Sequence, residues 1–211
     1  MPPLLPHKIL TAASALFCLA ALIGLVRRTR AAGKNEFFSA PRTGSLGGVV
    51  YAFGRGMMPW EKESAGKHLP TFGGGILYHA AIFLALFYLS WIMVHPPVRT
   101  DLLPVFRLAL AAGAAAGSAL LVKRLVRPHL RRLSCPDDYA ANLLVDLFLL
   151  LALAHTFRPA LEPWLLLAAI LLFLYMPLGK IRHCFFFFYT RILFGAFFGR
   201  RGVYPHPPSQ P

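Results

Sequence analysis

Acidic residues are scarce in this chain: eight Asp and Glu stand against 22 Lys and Arg among 211 residues, a formal net charge of +14. Charge of either sign is also thin, at 14% against 57% hydrophobic, and mean hydropathy is +0.58. Those values exclude an ordinary soluble domain. Cysteine is nearly absent. Cys18, Cys135 and Cys184 show no C-x-x-C spacing, so neither a disulfide framework nor a zinc site follows. The chain also lacks a Gly-rich phosphate loop and a nucleophile constellation, so no complete active site is expected in it.

What is present is length without polarity. Five apolar runs appear, at about 9–26, 72–94, 103–122, 138–157 and 163–183. A helix needs roughly 20 residues to cross the hydrocarbon. The fourth run reaches that length only from Asp138, and the fifth only by continuing to His183. The expected fold is an all-α membrane protein of five transmembrane helices, with residues 1–199 as one domain and 200–211 as a tail. The first run reads as a retained helix, because its Arg27-Arg28-Thr-Arg30 cluster follows the apolar stretch instead of preceding it.

The basic residues are unevenly placed. Residues 27–67 hold eight, residues 123–132 five and the stretch from Lys180 another five, leaving only Lys8, Arg99, Arg107 and Arg158 elsewhere. With an odd number of spans this alternation predicts an N-terminus outside, with both long loops and the C-terminus in the cytoplasm of a cell inner membrane. The charge is thus an orientation signal, and nucleic acid is not expected as a partner.

Between the runs, residues 44–60 are too broken by Gly44, Gly47-Gly48, Arg55 and Pro59 to span, and read as an interfacial or partner-facing element. Gly113 and Gly117 form a G-x-x-x-G that lets another helix approach closely. Ser134 with Asp137 three residues on, and Pro136 between, is a helix-start signature. The run from Phe185 to Phe198 mixes aromatics with Arg191, which suits a membrane–water boundary or a docking face.

Histidine is the residue type that asks for a function. An imidazole in a bilayer commonly holds a metal or haem iron, and His79 and His183 sit in or beside otherwise apolar spans. Two axial imidazoles must lie at similar depth. At 1.5 Å per residue His79 lies about 22 Å, His183 about 29 Å and His68 about 39 Å below the outer edge, so depth alone does not choose between His79 and His68. Gly73-Gly74-Gly75 leaves continuity of the helix between those two in question. His95 and His155 stand at outer edges, where they are candidates for flanking a quinone head group or a second haem. Asp146 is an acid two turns into the fourth span, fit either for a proton path or for a structural hydrogen bond.

The order and placement of four segments resemble the gamma subunit of respiratory nitrate reductase. They resemble still more the related membrane cytochromes of sulfite-reduction-associated and heterodisulfide-reductase-like complexes. The segments are Phe53-Gly-Arg-Gly-Met-Met-Pro-Trp60-Glu-Lys-Glu-Ser, Leu77-Tyr-His79-Ala-Ala-Ile, Arg132-Leu-Ser-Cys-Pro-Asp-Asp-Tyr-Ala-Ala-Asn142-Leu-Leu-Val-Asp146 and Pro177-Leu-Gly-Lys-Ile-Arg-His183. The resemblance implies a b-type cytochrome subunit, not catalytic alone, moving electrons between a quinone pool and a cytoplasmic iron–sulfur partner. It implies His79 and His183 as axial ligands of a cytoplasm-proximal haem b, with Lys180 and Arg182 as candidate propionate partners. The family's distal haem ligands fall at Leu89 and Leu165, so one haem is expected, with a second through His68 or His155 as the alternative. A haem-free membrane anchor or small transporter subunit is the rival class.

Overall fold

Lipid offers no partner to a backbone N–H or C=O, so apolar runs of this length close their hydrogen bonds internally as helices. The computed structural model describes residues 4–33, 40, 42, 44–94 and 101–204, with the backbone alone at 63 and 64. Among these residues there is no strand. Nine helices follow in order: α1 (Leu4–Ala31), α2 (Ser45–Phe53), α3 (Glu63–Lys67), α4 (Leu69–Val94), α5 (Leu103–Val126), α6 (Pro128–Leu133), α7 (Pro136–Phe157), α8 (Glu162–Tyr175) and α9 (His183–Arg200). Five stretches are long and apolar enough to cross a membrane: α1, α4, α5, α7 and residues 180–200. The chain is an all-α, multi-pass membrane protein.

The fifth of these differs from the expected span at 163–183. Helix α8 stops at Tyr175 after 14 residues, about 21 Å of rise, against a hydrocarbon core of about 30 Å. Pro177 lacks the N–H that would continue the ladder, and Gly179 packs against the Tyr175 ring so closely that a Cβ there would strike it. The chain turns, makes one 3-10 turn at Lys180–Arg182, and restarts as α9 with His183 as its first residue. The aromatic run assigned to a boundary thus belongs to a helix of spanning length.

Where one domain was expected, the chain divides into two compact units, residues 1–21 with 70–181 and residues 22–69 with 182–211. The first unit is a bundle of the start of α1 with α4, α5, α7 and α8. Each helix buries one face. On α4 the buried positions are Tyr78, Ala81, Ala85, Tyr88, Leu89 and Ile92, the repeat of a 3.6-residue helix. Leu110, Phe148, Leu149, Leu165 and Leu166 of the same unit are fully buried. The anticipated G-x-x-x-G makes its contact: a Cβ at Gly113 would fall on that of Ala81, and one at Gly117 on Tyr78 and Asp146.

Helix α7 begins one residue later than its sequence signature suggested. Cys135 is the N-cap, and its N–H donates to Asp138 Oδ2 at 2.9 Å. Pro136 sits at the first helical position, which leaves residue 135 extended as a cap requires. Ser134 instead donates to the Leu130 carbonyl at 2.7 Å and closes α6.

In the second unit α2 lies on α9, so this stretch has a partner within its own chain. Glycine allows it: a Cβ at Gly48 would overlap the Gly195 carbonyl and the Gly199 backbone. Gly195 and Gly199 are themselves a G-x-x-x-G. Around the crossing, Phe53 meets Phe187 edge-on at 6.3 Å and Tyr51 stacks on Tyr204 at 4.8 Å. Tyr51 donates to Glu61 at 2.7 Å, and Glu61 also accepts from Arg55 at 2.6 Å. Burial, and then the Glu61 carboxylate, hold the Tyr51 phenol above its ordinary range.

Gly48→Ala must push α2 away from α9 and is expected to lower stability by about 1–3 kcal/mol. Gly24→Ala has open space around its new methyl and should be neutral or stabilising by up to about 1 kcal/mol. Thermal unfolding of both variants in the same detergent checks the contrast, and equal melting temperatures would show that the crossing is not tight.

Candidate functional site

Helix α4 runs unbroken through Gly73-Gly74-Gly75, and His79 stands on it one turn further on. Its neighbour Tyr78 is buried while His79 is exposed, as a rotation of about 100° per residue requires. The His79 ring is held by its own helix, with Nδ1 2.6 Å from the Gly75 carbonyl. A carbonyl only accepts, so Nδ1 carries the proton and Nε2 is the basic nitrogen. This is the arrangement by which a metal-binding histidine is oriented, its second nitrogen fixed on a backbone carbonyl. Beside it, a Cβ at Gly73, Gly74 or Gly75 would meet nothing within 4 Å, so a flat ligand can approach the backbone.

His183 belongs to the second unit, exposed at the first position of α9 and preceded by an exposed Arg182. His68 lies just before α4 with φ −134° and ψ 47°. It is not on the helix, so the helix that carries His79 does not continue back to it. Lys180, a candidate for a propionate, is engaged otherwise: its ammonium pairs with Asp138 at 2.7 Å and its amide donates to Asp137 at 2.9 Å. His95 falls outside the described residues. The distal-ligand positions Leu89 and Leu165 are both buried in the bundle core.

Asp146 is 6% exposed and belongs to a polar cluster. Asn142 Nδ2 donates to its Oδ2 at 3.0 Å and approaches the Tyr78 hydroxyl at 3.3 Å. Gly117 leaves the room in which the carboxylate and the phenol sit. Both readings of Asp146 thereby gain a geometry: Oδ2 is bonded to Asn142, which also reaches the phenol, while Oδ1 has no hydrogen-bond partner among the described residues.

A second polar layer stands ten residues along α4, about 15 Å away. Tyr88 and His155 share a hydrogen bond of 2.7 Å between the hydroxyl and Nδ1. His155 is 6% exposed, and its Nε2 has no hydrogen-bond partner among the described residues. Close by, Lys8 pairs with Glu162 at 3.2 Å and donates to the Ile92 carbonyl at 2.8 Å. Arg107 donates to the Thr156 carbonyl at 2.5 Å and lies 4.0 Å over the Phe157 ring, neutralising the C-terminal end of α7. Sequence reasoning singled out His155 but missed Tyr88, Lys8, Arg107 and Glu162. The available signal was that most of these charges are isolated, and an isolated charge flanking a span needs a partner on another helix.

Comparison of the chain with family models, with curated proteins and with solved structures finds no match.

Among the described residues no three His, Cys, Asp or Glu side chains gather as a metal site. A haem needs only two axial groups, and an imidazole anchored through Nδ1 has the right chemistry for one of them.

Removing the Asp146 carboxylate leaves Asn142 and Tyr78 without it in a water-free interior. Asp146→Ala is expected to cost about 1–3 kcal/mol, and Asp146→Asn, which keeps one acceptor oxygen, distinctly less. Chemical unfolding in detergent measures both; equal losses would mean that the cluster is not held by hydrogen bonding.

Proposed function

We propose that this chain is the b-type cytochrome subunit of a membrane oxidoreductase, of the nitrate-reductase-gamma-like kind that its sequence segments resemble. The observation that carries the reading is His79, an exposed imidazole on a membrane-spanning helix whose Nδ1 is fixed by the Gly75 carbonyl. The glycines one turn before it leave open space along the helix, where a Cβ would meet nothing within 4 Å. His79 and His183 are the axial ligands in this reading. Haem b, once bound, supplies reversible one-electron transfer at a potential set by its ligands and burial.

The chain's own residues do the rest. The Gly75 carbonyl holds the His79 ring and raises the basicity of Nε2. Arg182 is the cation left for a propionate, because Lys180 is held by Asp138. Asp146 with Tyr78, and His155 with Tyr88, are the places where a proton released by a quinol can be held. The electron partner is a quinone on one side and a cytoplasmic iron–sulfur protein on the other, and the setting is the inner membrane with the basic loops inside.

A reduced-minus-oxidised spectrum of the purified chain, made with haem available and paired with pyridine haemochrome quantification, tests this directly. One b haem per chain is expected, with the Soret band lost in both His79→Ala and His183→Ala. A band that survives in both variants overturns the ligand assignment. A folded chain with no haem hands the case to a membrane anchor or small transporter subunit.

A further inference from the structure

Helix α5 ends at Val126, the chain turns through Arg127 into the six-residue helix α6, and α7 starts at Pro136. Five basic residues fall between positions 123 and 132. Two are used inside the fold: Lys123 donates to Thr71 and Arg124 pairs with Asp138 at 3.4 Å. The other three, Arg127, Arg131 and Arg132, are exposed, and their side chains make no hydrogen bond, ion pair or ring contact among the described residues. The acids beside them are already engaged. Asp138 holds Arg124, Lys180 and the Cys135 amide, while Asp137 holds Tyr175 and the Lys180 amide.

Three guanidinium groups without a carboxylate repel one another unless an anion joins them. Their surroundings say which anion. Val126 is 68% exposed and Leu133 83%, so the arginines are bordered by bare aliphatic side chains at the point where α5 and α7 leave the membrane. Aliphatic groups beside cations at that depth match a lipid, with acyl chain against Val126 and Leu133 and phosphate against the arginines. Guanidinium pairs with phosphate through charge-assisted hydrogen bonds, and a lysine ammonium does so as a point charge. We propose that Arg127, Arg131 and Arg132 together bind the phosphate of an anionic phospholipid headgroup. The site is independent of the haem reading.

Native mass spectrometry of the full chain in a neutral detergent tests it, with phosphatidylglycerol and phosphatidylcholine added separately. The wild-type chain is expected to retain phosphatidylglycerol at least about tenfold better, the scale set by a few cations at an anionic surface. R127Q/R131Q/R132Q should lose that preference. R127K/R131K/R132K, which keeps the charge, should retain at least about half of it. R27Q/R28Q, which removes exposed charge at the end of α1, should leave it intact. The proposal is overturned by equal retention of the two lipids in the wild type, which would leave the patch to an acidic protein. It is equally overturned by an undiminished preference in the glutamine variant, by a loss in the lysine variant, or by an equal loss in R27Q/R28Q.

Discussion

Every polar group that enters a bilayer must bring its own partner, and the architecture follows from that constraint. The backbone satisfies it by forming helices. The polar side chains satisfy it by gathering into layers inside the first unit: Tyr78, Asn142 and Asp146 in one, and Tyr88, His155, Lys8, Glu162 and Arg107 in another. Even the hydroxyls of α1 obey it, with Thr11 returning to the His7 carbonyl and Ser14 to that of Thr11. Among the described residues the places where the rule is left open are few, and His155 Nε2 and Asp146 Oδ1 are two of them.

Helices in lipid gain little from hydrophobic burial against one another, since lipid tails are as apolar as leucine, so close packing has to do the joining. Both units use glycine for this, in different ways. In the first, Gly113 and Gly117 admit Ala81 and the Tyr78–Asp146 pair, so close approach and the polar cluster are one device. In the second, Gly48 meets Gly195 and Gly199 and brings two backbones together without side chains between them. The aromatic residues of α9 then pack around that crossing instead of within it.

The histidines divide along the same line. His155 is buried and bonded through Nδ1 to a phenol, so it sits where a proton can be held. His79 is exposed, and its ring is fixed through Nδ1 on the Gly75 carbonyl. The electron-transfer reading rests on this second kind of histidine. The basic elbow after α5 carries a separate reading, because its arginines are left over after Asp137 and Asp138 have been satisfied.

Composition and run length alone determined that the chain is helical and crosses a membrane, because a run of about twenty apolar residues has few other stable states. They also located Gly113 and Gly117 as a contact and Asp146 as an anomaly, since such residues are costly in lipid unless used. What the one-dimensional pattern could not decide was where partners lie. Nothing local says that Lys8 answers Glu162 or that Lys180 is taken by Asp138, because such pairs join residues 154 and 42 positions apart. The end of α8 depended on Pro177 and on the packing of Gly179 against Tyr175, so the run at 163–183 read as one helix when α8 stops at Tyr175 and α9 starts only at His183. Nor could sequence show that Cys135 caps α7, or that Gly195 and Gly199 exist to admit Gly48. Tertiary structure decided these, because a hydrogen bond or a close approach is settled by which helix faces which, and that is a property of the packed chain.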